Sequence, residues 1–315
     1  MPTPTSPENV LDPPADPRCV LVAGEALIDV IRLGGTTREH PGGSPANVAL
    51  GLARLGVATS FLTALGRDAR GEAIAARLGD AGVTLLPESW SLPTTSSASA
   101  TIEADGSATY EFDIRWQLPQ RIELPPVHHL HIGSISAFLA PGADRIEQLA
   151  SDLHREATIS FDPNIRAGLV GDRAAALARF ERLAKLADIV KLSDEDALFL
   201  YPDLSADQAA RAIAAGGALV AVTRGSAGSL LTVGDTTVAI EPIVVQVVDT
   251  VGAGDSYMAA LLAWFLGTGM GAMRDGSRAE LASAGGYAAR AAAITVSRAG
   301  AEPPTSDELG ARQGR

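Results

Sequence analysis

The sequence predicts an α/β fold: a mainly parallel sheet with helices on both faces and a small β insertion. Three observations carry that prediction. Five or more short apolar runs, among them residues 19–23, 158–162 and 218–223, alternate with helix-length segments. A polar, β-prone stretch from Thr94 to Thr101 interrupts the rhythm. The Asp105-Gly106 turn signal and a return strand at Thr109-Tyr110-Glu111-Phe112 follow it. Late in the chain an apolar run stops at Asp249. The Gly252-Ala253-Gly254 turn then opens an apolar helix with no Gly or Pro for eleven residues after Asp255.

The totals narrow the function classes. With 315 residues the chain suits one large domain or two small ones. It is 46% apolar and 20% charged, which predicts a soluble globular protein. A net charge of −12 argues against nucleic acid and acidic membrane surfaces, and leaves nucleotide binding open. The single Cys19 cannot form an internal disulfide, so a reducing, cytoplasmic setting is expected. Residues 1–17 are Pro-rich and polar, without the apolar core of a signal peptide, and read as a disordered tail. Residues 303–315 read as a second polar tail. No run reaches the roughly 18 apolar residues of a membrane-spanning helix.

In order, residues 19–23 form a buried strand ending at Gly24. Glu25 and Asp29 follow, two carboxylates four apart that can grip sugar hydroxyls or stand in a solvated turn. Pro41-Gly42-Gly43-Ser44-Pro45-Ala46-Asn47 opens a helix with Val48, Leu50, Leu52 and Leu55 as its apolar residues and Gly56 as its stop. Gly42 and Gly43 let the backbone approach a ligand, and Asn47 both donates and accepts. Residues 59–65 form a strand, and Asp68 starts a helix to about Gly79. With residues 30–33, the polar β stretch forms a small separate sheet. His128, His129 and His131 invite a metal reading, but no acid or Cys stands at a matching spacing, so a strand is the stronger one. Residues 158–162 run into Pro163-Asn164-Ile165-Arg166, at a strand's C-terminal end where open α/β sheets hold ligands. Arg166 suits a phosphate, or simply pairs with Asp162. Ser193 reads as an N-cap followed by Asp194, Glu195 and Asp196. Thr223-Arg224-Gly225-Ser226-Ala227-Gly228 is a turn after a strand, and residues 281–294 form an Ala-rich buried helix.

The turn at 252–254 carries the chemistry. A helix N-terminus built from small residues leaves N–H groups and a partial positive charge open to an anion. An acid in that first turn makes sense if Asp255 takes a proton from an attacking hydroxyl while the N–H groups hold charge on a transferring phosphoryl group. By itself the turn reads equally as a capped structural turn. The dinucleotide fingerprint fails at its third glycine, where Tyr257 stands, and the phosphate-loop pattern is absent.

Asp249-Thr250-Val251-Gly252-Ala253-Gly254-Asp255-Ser256-Tyr257 resembles the C-terminal signature D-T-x-G-A-G-D-[ST]-F of the ribokinase-like (PfkB) carbohydrate kinases, with Tyr257 where Phe is usual. Gly42-Gly43 and Asn47 resemble the family's N-terminal signature. The resemblance implies a ribokinase-like three-layer sandwich over residues 18–302, with a β lid from about 30–40 and 94–118 that also serves many members as a dimer surface. It implies an ATP- and Mg²⁺-dependent sugar kinase with Asp255 as base, Gly252, Ala253 and Gly254 as anion hole, and Arg166 at the γ-phosphate or sugar. Asp29, Gly42, Gly43, Asn47, Asn164 and Phe112 would meet the sugar, with Arg115 and Trp116 as further lid candidates. Lys191, Ser193, Thr223, Gly225, Gly228 and Gly254 would line the nucleotide side. Asp196 or Glu195 would organise Mg²⁺ through water, although the family's N-x-x-E is changed here at both ends, to Ser193 and Asp196. Asp249 and Val251 would help hold K⁺. Gly24-Glu25, Asp162 to Arg166 and Lys191 to Ser193 resemble the fructokinase branch; 2-keto-3-deoxygluconate kinase, ribokinase and nucleoside kinase are the alternatives. From other classes, a silent sugar-binding protein on the same fold and a dinucleotide-dependent oxidoreductase stand against the kinase. An intact Asp255 and anion hole count against the first, and Tyr257 counts against the second.

Overall fold

A computed structural model of the chain describes residues 19–102, 108–274 and 276–310. The tail expected at 1–17 and the Asp105-Gly106 turn lie outside the described residues. The main sheet is built from β1 (Val20–Ala23), β4 (Thr59–Leu62), β5 (Thr84–Leu85), β8 (His129–Gly133), β9 (Thr158–Asp162), β10 (Ile189–Ser193), β11 (Leu219–Thr223), β12 (Ser229–Val233) and β13 (Thr236–Ile240). Its order is β13-β12-β11-β10-β9-β8-β1-β4-β5. The pairs from β11 to β5 are parallel, and β12 and β13 form an antiparallel hairpin at one edge.

The central strands are buried on both faces, which explains their unbroken apolar runs. Alternate side chains serve different layers. Val20 and Val22 join one core with the helices α1 (Ser44–Arg54), α2 (Ala69–Asp80), α7 (Ala253–Thr268) and α9 (Arg278–Val296). Leu21 and Ala23 join the other with α3 (Gly142–Leu153), α4 (Arg173–Ala184), α5 (Asp194–Leu200) and α6 (Ala206–Ala214). The result is the three-layer α/β arrangement that the sequence predicts. Helix α7 is apolar all round because it lies between the sheet, α1 and α9. Among the described residues no helix is long and apolar enough to cross a membrane.

The lid is a second sheet, ordered β3-β2-β6-β7, from β2 (Leu27–Leu33), β3 (Thr36–Gly42), β6 (Ser97–Ile102) and β7 (Ala108–Asp113). Strand β3 was hidden in the sequence because its segment, Thr36 to His40, is polar and exposed. It is held by full antiparallel pairing to β2 and by Arg70 of α2, whose Nε donates to Glu39 at 3.0 Å.

The chain end corrects a second expectation. Residues 303–310 are not a tail: Pro303 and Pro304 are buried, and α10 (Ser306–Leu309) sets Leu309, 2% exposed, into the core. The prolines and one leucine supply enough apolar surface to dock a stretch whose other residues are polar.

His129 and His131 are buried in the middle of the sheet. Ser160 Oγ lies 2.8 Å from His129 Nε2 and 2.9 Å from His131 Nδ1, while His129 Nδ1 meets Thr158 Oγ1 at 2.7 Å. Burial pushes the His129 pKa down to about 4, from an unfolded value near 6.5. Between those values the unfolded chain binds the extra proton, so this group costs stability as pH falls through the window. His129→Asn is therefore expected to flatten the loss of stability between pH 6.5 and 4, measured as the difference in urea midpoints from wild type across that range.

Candidate active site

A cleft of about 1000 Å³ opens between the lid and the C-terminal ends of β1, β8, β9 and β10, the place where ligands bind in open α/β sheets. It gathers Asp29, Gly42, Gly43, Asn47, Phe112, Asn164, Arg166, Lys191, Glu195, Asp249, Val251, Gly252, Gly254 and Asp255 from the sequence-derived set. Ala253, Ser193, Asp196, Thr223, Gly225 and Gly228 stand outside its lining.

Two helices point their N-termini into this cleft, and neither has a side-chain cap: α1 after Gly43 and α7 after Gly252. Gly252 takes a left-handed φ of 76°, and a Cβ there would lie 2.6 Å from that of Ala301. The Ala253 N–H donates to the Thr250 carbonyl at 3.3 Å. The Gly254 and Asp255 N–H groups fall in the first turn, where a helix offers no acceptor of its own.

Asp255 is buried, 7% exposed. Its Oδ1 accepts from Ser44 Oγ at 2.7 Å and its Oδ2 from Asn47 Nδ2 at 2.8 Å. Burial raises its pKa; Ser44, Asn47, Lys191 and Arg166 pull the other way. A carboxylate so placed is a stronger base than one in water and is held in one orientation. Asn47 therefore orients this carboxylate as well as lining the cleft. Ser44, which the sequence reading missed, does the same. Its one signal was a hydroxyl in the first turn of a helix opened by Gly-Gly.

Below the N-terminus of α7 runs a buried ion pair. Lys191 Nζ donates to Asp162 Oδ2 at 2.9 Å. Burial opposes the charge on Lys191, but Asp162, Asp196 and Asp255 outweigh it and keep the ammonium protonated. A Cβ on Gly254 would lie 2.8 Å from that Nζ, so the glycine lets the cation approach the helix terminus from beneath. Arg166 is not paired with Asp162. Its Nη1 donates to Asn164 Oδ1 at 2.8 Å, with Asn164 at φ 35°, and the guanidinium is exposed on the cleft.

On the lid side Asp29 sits between the charges of Arg166 and His40; burial raises its pKa and those two groups lower it. A Cβ on Gly42 would overlap the Asp29 carboxylate. Phe112 faces the cleft and stacks on Tyr110, with centroids 6.5 Å apart. Trp116 and Arg115 do not cover it. Trp116 is buried with Nε1 donating to the Ser136 carbonyl at 2.9 Å, and Arg115 pairs with Asp113 at 3.7 Å. Glu25 is buried at the floor, accepts from the Ser136 N–H at 3.0 Å, and is pushed up to about 7 by burial.

The acids after Ser193 divide their work. Asp196 Oδ2 accepts from Ser193 N and Oγ, and its Oδ1 accepts from the Ile165 N–H at 2.7 Å. Both its oxygens thus bind protein donors, tying α5 to the β9 loop, and Glu195 is the acid that faces the cleft. Thr223, Gly225 and Gly228 sit one strand further along, at the end of β11. Asp249 Oδ1 accepts from Val251 N at 3.0 Å and Oδ2 from Gly300 N at 2.9 Å, joining the two loops beside Gly252.

The cleft thus combines a buried carboxylate, an uncapped helix N-terminus and a second sheet along one side, a set that suits phosphoryl transfer. The comparisons agree. Residues 18–308 match the pfkB family carbohydrate kinases, and the chain belongs to that family. It is 35% identical to a fructokinase of Rhizobium leguminosarum bv. trifolii over 257 residues, 78% of each chain. A fructokinase of Xylella fastidiosa with bound ATP superposes with a TM-score of 0.80 at 25% identity, covering 93% of this chain and 97% of that one. A Vibrio cholerae fructokinase double mutant bound to fructose, ADP and potassium gives 0.76 at 26% identity, covering 90% and 94%.

The one change in the motif has a local reason. The Tyr257 hydroxyl lies 2.8 Å from Ser229 Oγ, both buried. Tyr257→Phe would leave Ser229 without that partner and is expected to cost about 1–3 kcal/mol in denaturant unfolding. Adding Ser229→Ala should restore most of the loss.

Proposed function

We propose that this chain is an ATP-dependent fructokinase. The observation that carries the reading is Asp255, a buried carboxylate oriented by Ser44 and Asn47 at the open N-terminus of α7. Relatives and neighbours named fructokinase, one with fructose and ADP bound and one with ATP, support the choice of sugar and nucleotide.

A sugar hydroxyl would lie against Asp255, with the rest of the ring between Asp29, Asn47 and the lid. Asp255 accepts its proton as the hydroxyl oxygen bonds to the terminal phosphorus of ATP and the bond to the leaving diphosphate breaks. The Gly254 and Asp255 N–H groups, Lys191 from below and Arg166 from the side balance the charge that spreads over the phosphoryl oxygens. The lid excludes water, the competing acceptor.

Among the described residues no group of three His, Cys, Asp or Glu forms a metal centre. Of the acids that follow Ser193, Glu195 is the one that offers its oxygens to the cleft. That fits Mg²⁺ arriving with the nucleotide phosphates and holding most of its waters, where it would neutralise phosphate charge. The Asp249 carboxylate retains lone pairs beyond its two N–H bonds, so the junction of the 249–251 and 299–301 loops suits a weakly bound K⁺. The exposed apolar face of the lid, Ile31, Leu33, Tyr110 and Phe112, supports pairing with the lid of a second copy. The lone Cys19 fits a cytoplasmic enzyme.

Asp255→Asn is expected to lower kcat by about 10²–10⁴-fold while isothermal titration still detects sugar binding. Loss of sugar binding together with turnover would count against a role as base. Ser44→Ala removes a hydrogen bond to the ionised form, so the Asp255 pKa should rise further. The acid limb of the kcat–pH profile should then move to higher pH; an unmoved limb would assign it to another group.

A further inference from the structure

A charged cluster at the edge of the cleft, whose lining includes Arg77 and Glu302, has no part in the chemistry above. Glu302 lies in the loop after α9 and binds two arginines from different helices. Its Oε2 meets Arg54 Nη1 of α1 at 2.8 Å, and its Oε1 meets Arg77 Nη2 of α2 at 2.7 Å. The same two nitrogens also donate to the carbonyls that flank Glu302, Arg54 to Pro303 and Arg77 to Ala301, each at 2.8 Å. Burial tends to raise the Glu302 pKa, but the two guanidiniums more than reverse it. Among the described residues Glu302 is the one carboxylate within ion-pair reach of either arginine.

The clamped loop touches the anion hole. Ala301 lies against Gly252, whose missing Cβ would come within 2.6 Å of it. Gly300 is tied to Asp249, and Asp249 to Val251. Helix α1 bears Arg54 at one end and, at the other, Ser44 and Asn47, which hold Asp255. Its Gly51 faces Ala259 of α7 and Pro303.

We propose that Glu302 is a positioning residue for phosphoryl transfer: by neutralising and joining Arg54 and Arg77, it holds the 299–303 loop against Gly252 and so fixes the N-terminus of α7 relative to the base. Two guanidiniums facing one loop repel each other without an acid between them. Glu302→Gln keeps the size and removes the charge, so the loop should move off Gly252. The inference rests on the kinase reading for its kinetic consequence and on geometry alone for its structural one.

Both are measured. In Glu302→Gln, kcat should fall about ten- to a hundredfold, the effect of a small misplacement of reacting groups, with the sugar KM within about twofold of wild type. Glu302→Asp, which keeps the charge, should recover most of kcat. Glu302→Gln combined with Arg77→Gln should be no slower than Glu302→Gln alone, because the two act as one unit. Hydrogen exchange at residues 250–256 should quicken at least tenfold in Glu302→Gln and stay unchanged in β8 and α3. Wild-type kcat and exchange in Glu302→Gln overturn the proposal. So does exchange that quickens throughout the chain, which marks a general loss of stability. A wild-type protein that phosphorylates no sugar overturns the kinase reading, and the exchange measurement still decides the clamp. If Glu302→Gln does not fold, Arg77→Gln, which removes one arm of the same clamp, decides: exchange at residues 250–256 should quicken, and wild-type exchange there overturns the proposal.

Discussion

The structure depends on keeping one carboxylate charged where water is scarce. Asp255 can accept a proton only while ionised, and burial works against ionisation. Ser44 and Asn47 of α1, the Lys191 ammonium of β10 and Arg166 of the loop after β9 all oppose that cost, so three separate parts of the chain converge on it. Three glycines make room. Gly252 gives the turn its left-handed φ, Gly254 admits Lys191 from below, and Gly42 admits Asp29 from the lid. A Cβ at Gly254 or Gly42 would crowd a charged group, and one at Gly252 would strike Ala301, so each would disturb the site.

Much of this was legible in the sequence. The parallel sheet was readable because its strands are buried on both faces and so apolar throughout. The uncapped turn before α7 was readable from its small residues, but only the family motif, and not the turn alone, singled out Asp255. Strand β3 was not, since a lid strand paired through its backbone needs no apolar pattern. The docking of 303–310 was not either, because three apolar residues among polar ones look like a tail until their packing partners are known.

Side-chain partners were the least legible layer. Asp196 matched a metal-organising position by spacing, yet both its oxygens bind N–H and hydroxyl donors of the protein. Arg166 matched a surface partner for Asp162, yet Lys191 takes that carboxylate. Such choices are settled by distances across strands, and spacing along the chain carries no record of them. Tyr257 shows the reverse case: a departure from the family motif becomes intelligible once Ser229 stands opposite it.

Ser44 and Asn47 are 211 and 208 residues from the carboxylate they hold. A chain emerging from the ribosome therefore presents one half of its active site long before the other. When β13 has been made, the sheet's strands are all present, but the base, the helix terminus and the loop that seals them are still missing. The nascent protein can complete much of its scaffold without being able to transfer a phosphoryl group, and competence arrives only once α7 and the loop after α9 have followed.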